Sequence, residues 1–142
     1  ERIAPGLARV RVSGVIVNEL LGMDLRGMPV SALFTATARD PFRDTLEAVF
    51  TGPGRATLGL RGENNVLKGE MLILPLRDRH LQVTRALACV QYSGRMSRGP
   101  NRFVIEGRVM RHLRRRPYAG QPDELSERTA PTHAPHLRVV TH

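Results

Sequence analysis

The sequence has little of several residue types, and each shortage excludes a class of protein. Cys89 is the only cysteine among 142 residues, so no disulfide can form within the chain. Tryptophan is absent and aromatic residues make up 4%, so a core must rest on Leu, Val, Ile, Ala and Met. No apolar run approaches the roughly 18 residues of a membrane-spanning helix. We therefore expect one globular domain, no membrane partner and a cytoplasmic location.

Lysine is almost missing as well, although the chain is strongly basic. Lys68 is the only lysine among 22 basic residues, and 13 acidic residues leave a net charge of +9. A charge of this size is typical of proteins that bind nucleic acid or anionic membranes. An excess of arginine over lysine is also typical of a GC-rich genome, and that is the interpretation we favour.

The most informative feature that is present is the apolar run Met71–Leu76, which lies between Glu70 and Arg77. A short apolar run with polar flanks predicts a strand, or a short helix, that is buried on both faces. Pro75 favours the strand because proline disrupts a helical turn, and it should lie at a bulge or near the strand end. A strand that is apolar on both faces needs cover on both.

The order of the remaining elements follows from periodicity and turn signals. An alternating strand near 8–12 precedes a short amphipathic helix over 15–21, which Gly22 ends. A second helix starts at Asp40-Pro41, with Asp40 as N-cap or with an earlier boundary near Ala36. The apolar face of this helix is Phe42, Leu46, Val49 and Phe50, and strands near 55–61, 69–77 and 83–92 follow it. Helices between antiparallel strands predict an α+β fold with the helices on one face of the sheet.

The C-terminal third differs in composition from the rest. We expect residues 1–94 to form the domain and residues 95–142 to form a basic, largely disordered extension, with one further strand at 102–110 as an option. The stretch 117–136 is rich in Pro, Thr and His and has no apolar period, which is typical of disorder.

Several blocks of this sequence resemble one family at matching spacing. The blocks are Glu1–Arg9, Asn18–Pro29, Leu46–Pro53 and Met71–Arg77, with a shorter similarity at Pro135–Val140. They resemble the single-PAS-domain proteins of alphaproteobacteria over residues 1 to about 92. The resemblance implies a five-stranded antiparallel PAS sheet in the order ββ-ααα-βββ, with signal sensing, ligand pockets and dimerisation as common uses. It also implies that a helical segment and most of the first strand are missing before Glu1, and the lack of an initiator Met agrees.

A PAS-like pocket would lie between the helices and the inner sheet face. Candidate lining residues are Met28, Phe34, Leu46, Phe50, Leu58, Met71, Ile73 and Cys89. These side chains could instead simply fill the core, which is the interpretation we favour, and Leu72 and Leu74 could exchange roles with Met71 and Ile73. The outer face, with Glu70, Leu72, Leu74 and Leu76, is the predicted contact surface for a second copy or a protein partner.

No cofactor can be identified from the sequence. Haem-binding PAS domains use an axial histidine on a helix, and none of the five histidines lies within 15–50. A flavin-linked cysteine would lie in a polar helix motif, whereas Cys89 lies in an apolar strand. We therefore expect neither haem nor flavin. His133 and His136 have ligand-like spacing but lie in the Pro-rich tail, so no metal site is predicted.

The densest basic segment offers an alternative function. Its anion or nucleic-acid candidates are Arg111, Arg114, Arg115 and Arg116, because arginine suits phosphate contacts. Only Phe103 and Tyr118 are near for base stacking, so a solubilising arm is the simpler interpretation. No phosphate loop or catalytic set of side chains is recognisable. The sequence therefore predicts a non-enzymatic sensory or regulatory module that binds a small ligand, dimerises or docks a partner, with a nucleic-acid-binding regulator as the alternative.

Overall fold

The structure is a computed structural model that describes residues 1–52 and 54–112. Within these residues the chain forms two α-helices, Val15–Leu21 (α1) and Arg39–Thr51 (α2), and two 3-10 helices, Val30–Leu33 and Ala36–Ala38. The six strands are Arg2–Ala4 (β1), Leu7–Ala8 (β2), Gly54–Gly62 (β3), Lys68–Arg77 (β4), Val83–Ser93 (β5) and Phe103–His112 (β6).

Helix α2 presents one apolar face to the sheet. Its buried apolar residues are Phe42, Leu46, Val49 and Phe50, as their helical spacing predicts. The helix begins at Arg39 rather than after Asp40, because the 3-10 helix Ala36–Ala38 runs directly into it and Ala38 occupies the N-cap position. Asp40 therefore lies in the first turn, where its charge complements the helix dipole, and does not cap the helix.

The main sheet has four strands in the order β5-β4-β3-β6, and each neighbouring pair is antiparallel. The α+β class with antiparallel strands is confirmed, but the structure has four strands in this sheet where five were predicted. Strands β1 and β2 form a separate two-stranded sheet, because they are only three and two residues long and pair with each other across the turn at Gly6. The family order predicts three helices between the strands, whereas the structure has two α-helices and two 3-10 helices there.

Strand β6 lies in the segment that the sequence analysis assigned to a basic, largely disordered extension, and it confirms the further strand considered there at 102–110. It pairs with β3 from Gly62↔Phe103 to Gly54↔His112. Phe103 is fully buried, and its carbonyl oxygen accepts a hydrogen bond from the Thr35 amide at 3.0 Å. A domain boundary after residue 94 would therefore separate a strand from its own sheet. The free edge of β3 holds this strand in place, and periodicity alone does not reveal such an edge.

Asn101 fixes the connection into β6, and its side chain is almost fully buried. Its amide nitrogen donates to the carbonyl oxygens of Leu20, Ser97 and Gly99 at 3.1, 3.2 and 3.0 Å. Its Oδ1 accepts from the amide and the hydroxyl of Ser97 at 3.0 and 2.8 Å. This network ties the loop before β6 to the last turn of α1.

The register decides which face of β4 points to the core, a choice that the sequence left open. Met71 and Ile73 face the helices and are 1% and 2% exposed. Leu72 and Leu74 are only half-buried and lie on the opposite face. The pairing of β4 with β3 ends at Ile73, and its register with β5 shifts between Leu76 and Arg77. Pro75 therefore lies near the end of the strand, next to this irregularity. Pro75 itself is still paired in register with β5.

Candidate functional site

A cavity of about 480 Å³ lies between α2, the segment Arg9–Gly14 and the part of the inner sheet face nearest β5. Helix α2 contributes Leu46 and Phe50 to its wall, and β4 contributes Met71 and Ile73. Strand β5 contributes the stretch 85–88 and Val90. Strand β5 is an edge strand of the sheet, so this part of the cavity wall lies at the border of the sheet.

The inner wall of the cavity offers almost only apolar side chains. Ser13 is the one uncharged polar residue among the described residues that line it. Its hydroxyl donates to the side-chain oxygen of Asn18 at 2.8 Å, so it already has a partner. A ligand in the inner part of the cavity would be recognised by shape and by apolar contact.

The charged residues that line the cavity are Glu1, Arg9, Arg11 and Arg85. The Glu1 carboxylate accepts a hydrogen bond from Arg9 at 3.2 Å and lies 3.6 Å from the Arg11 guanidinium. The hydrogen bond from Arg9 and the charge of Arg11 hold the pKa of the Glu1 carboxyl below its usual range. Within the described residues Arg85 forms no ion pair. These side chains leave an excess of positive charge at the cavity. The sequence analysis missed this group because Arg85 is more than 70 positions away from Arg9 and Arg11 in the chain.

Seven of the eight predicted pocket residues are distributed over three places. Leu46, Phe50, Met71 and Ile73 line the cavity together. Phe34 and Leu58 are fully buried but lie elsewhere in the core, where Phe34 stacks on Phe42 with ring centroids 4.2 Å apart. Met28 is 37% exposed in the connector before the first 3-10 helix.

Cys89 is the clearest correction to the pocket set. It was expected to point into the pocket, but it is exposed on the outer face of the sheet. The reason is the register: Cys89 pairs with Leu72, whereas its neighbours Ala88 and Val90 pair with the inward Ile73 and Met71. A shift of one residue reverses every side chain of a strand, and the apolar composition of β5 does not show which set is inward.

The outer sheet face carries the predicted contact residues. Glu70 is exposed, Leu72 and Leu74 are half-buried, and Leu76 is 44% exposed. Leu76 also lines the cavity. A row across the four strands consists of Cys89, Leu72, Thr57 and Val109. Helix α2 packs on the opposite face, so no described helix was found to cover this row.

Only one of the four predicted anion-binding arginines lies in the described residues. Arg111 is exposed on β6 and pairs with Arg55 of β3, so two arginines are neighbours on the sheet. Arg114, Arg115 and Arg116 lie outside the described residues, as does the stretch 117–136.

Among residues 1–52 and 54–112, no group of three or more His, Cys, Asp and Glu side chains is arranged to hold a metal ion. In the same part of the chain, no helix is both long enough and apolar enough to cross a membrane.

Comparison with known proteins gives one match. A family model described as PAS domain matches residues 1–91, which include the cavity, both helices and most of β5 but not β6. No curated protein and no solved structure matches the chain. The alphaproteobacterial resemblance stays a prediction, while the family model covers well over half of the 142 residues. The chain therefore belongs to the PAS domain family.

Proposed function

We propose that this PAS domain is a non-enzymatic sensory or regulatory module that holds a small, largely apolar ligand in the cavity beside β5. The observation that carries the proposal is the cavity itself, whose volume of about 480 Å³ lies in the usual range for small-molecule sites. Membership of the PAS family supports the general role in sensing and regulation. We place its action in the cytoplasm, where a lone exposed thiol such as Cys89 stays reduced.

The position of the cavity suggests how binding would be transmitted. Its wall joins α2 and the main sheet to the segment Arg9–Gly14, which continues from the small β1–β2 sheet. That small sheet is held to α2 by Glu47, which accepts hydrogen bonds from Arg2 and from the Gly6 amide, both at 2.7 Å. A ligand that binds more tightly at one spacing between the small sheet, α2 and the main sheet would raise the population of that spacing.

A neutral fluorescent probe tests ligand binding directly. N-phenyl-1-naphthylamine should bind the wild-type domain, and Ala88→Phe should weaken binding at least about tenfold because Ala88 lines the cavity. Ala36→Phe is the matched control, since Ala36 is exposed and does not line the cavity. No binding to the wild type, or equal weakening by both variants, would overturn the proposal. Absorbance spectra and native mass spectrometry of the purified protein would reveal any retained haem, flavin or other small molecule.

We also propose that the outer sheet face forms the contact with a second copy of this chain or with a protein partner. The support is the row that includes Leu72, Cys89 and Val109, of which Val109 is 53% exposed. Exposed apolar surface of this kind is typical of interaction sites. Adjacent Leu87, which is 50% exposed, extends the same surface toward the β5 edge.

Light scattering on the intact protein tests this contact surface. Leu72→Asp should convert a dimer into a monomer, because a carboxylate would be buried without a partner in the contact. Ile16→Asp is the control, since Ile16 is 58% exposed on α1, away from the sheet face. A wild type that stays monomeric and captures no partner in pull-downs would argue against the contact surface.

A further inference from the structure

The charges at the cavity point to the chemistry of its ligand. Three arginines, Arg9, Arg11 and Arg85, line the cavity together with a single carboxylate, Glu1. Glu1 is within 4 Å of Arg9 and Arg11, so one carboxylate is shared between two guanidinium groups. Arg85 belongs to the outward set of β5, with Leu87 and Cys89, and reaches the cavity at the edge of the sheet. Among the described residues no carboxylate forms an ion pair with it. The cavity therefore combines an apolar interior with an excess of hydrogen-bond donors that carry positive charge.

The apolar side chains of the interior disfavour most polar ligands. A sugar, a nucleobase or a flavin ring needs several polar partners along its length, and Ser13, the only uncharged polar side chain on the wall among the described residues, is already hydrogen-bonded. Charged donors are available where the side chains reach solvent: 44% of the Arg9 side chain and 64% of the Arg11 side chain are exposed. A ligand that fits both parts has an apolar body and one anionic end.

We infer that the ligand is a single-chain carboxylate, whose alkyl chain lies between α2 and β5 and whose carboxylate is bound by Arg11 and Arg85. This inference rests on the proposed ligand-binding function and adds the chemical class of the ligand. Arginine suits the anionic end because its planar guanidinium can donate two parallel hydrogen bonds to a carboxylate. The head group stays partly hydrated at the exposed arginines, so its full desolvation is avoided.

Glu1 has a distinct role in this arrangement. Its carboxylate occupies Arg9 and Arg11 in the structure and so competes with the carboxylate of a ligand for the same donors. Removing the negative charge at residue 1 should therefore strengthen the binding of an anionic ligand. If this ion pair only stabilised the fold, removing the charge would weaken the binding of an anionic ligand or leave it unchanged.

Decanoate and 1-decanol form the pair of probes, because they share an alkyl chain and differ in charge. Decanoate is titrated below its micellar concentration and decanol below its solubility limit, both in competition with N-phenyl-1-naphthylamine. Decanoate should bind about tenfold more tightly than decanol at low salt, a ratio consistent with two partly exposed charge pairs. Added salt should reduce this preference.

Three variants separate the contributions of the charges. Arg11→Gln and Arg85→Gln should each weaken the binding of decanoate about threefold and leave the binding of decanol unchanged. Glu1→Gln should strengthen the binding of decanoate about twofold to threefold. Arg39→Gln is the matched control, because it removes the same charge from an exposed site that does not line the cavity.

The outcomes distinguish this inference from the proposed function. If decanol and decanoate bind equally and the arginine variants change neither, the cavity binds apolar ligands but the inference is wrong. If neither compound and no neutral probe binds, the proposed function itself fails. If Arg39→Gln weakens decanoate binding as much as Arg85→Gln does, the effect comes from net charge, and this outcome would also overturn the inference.

Discussion

Truncation of Phe103 tests whether β6 is an integral part of this domain. Phe103 is 0% exposed, pairs with Gly62 on β3 and bridges to Phe34 on the helical side. Replacing a buried phenylalanine by alanine removes its transfer free energy and leaves a cavity, at a cost of about 3–5 kcal/mol. A small domain has a total stability of about 5–15 kcal/mol, so Phe103→Ala should move the urea midpoint far down or unfold the protein.

Two companion variants keep this test informative. Phe103→Leu retains most of the volume and should cost less than about 1.5 kcal/mol, so it stays measurable if the alanine variant does not fold. His112→Ala changes an exposed residue at the end of the same strand, outside the proposed contact surface, and should change stability by no more than about 0.5 kcal/mol. Equilibrium urea unfolding followed by circular dichroism gives all three values. If Phe103→Ala has the wild-type midpoint, β6 is not packed as described, and the domain would end near residue 94.

Three further predictions address the connection into β6, one ion pair and the outer face. Asn101→Ala should lower the free energy of unfolding in urea by about 2–3 kcal/mol, because several hydrogen bonds of a buried side chain are lost. Asn64→Ala, at an exposed turn, should lower it much less. Equal losses in the two variants would contradict the hydrogen-bond network of Asn101. The hydrogen bond from Arg26 lowers the pKa of Asp24, so the pair stabilises the fold above the unfolded pKa and this contribution disappears as pH falls through the folded pKa. In an NMR titration Arg26→Gln should raise the Asp24 midpoint, and an unchanged midpoint would refute this cause. The Cys89 thiol should react with a thiol reagent in the native, dilute protein; reaction only after denaturant is added would show that it is buried.

The apolar face of α2 and the strand at Met71–Leu76 are predictable from the sequence because both depend on local periodicity. Spacing of 3.6 residues selects the buried side of a helix, and a short apolar run with polar flanks and a proline predicts a strand. The predicted burial of both faces of this strand is wrong for the described residues, because Leu72 and Leu74 are half-buried and Leu76 is 44% exposed. The left-handed Gly22 after α1 is predictable for the same local reason, since glycine adopts a positive φ without strain. The PAS family is likewise readable from ordered blocks of sequence, and the family match confirms it.

The tertiary structure alone decided the features that join distant parts of the chain. The inward set of β5 depends on its register with β4, which placed Cys89 outside although its strand is apolar throughout. Strand β6 exists because β3 has an edge for it to pair with, and its own sequence is only weakly periodic. Arg11 and Arg85 are 74 positions apart and line the same cavity only because the segment after β2 lies beside β5. Local patterns thus specified the elements, whereas the cavity and its charges arise from long-range pairing that no local pattern encodes.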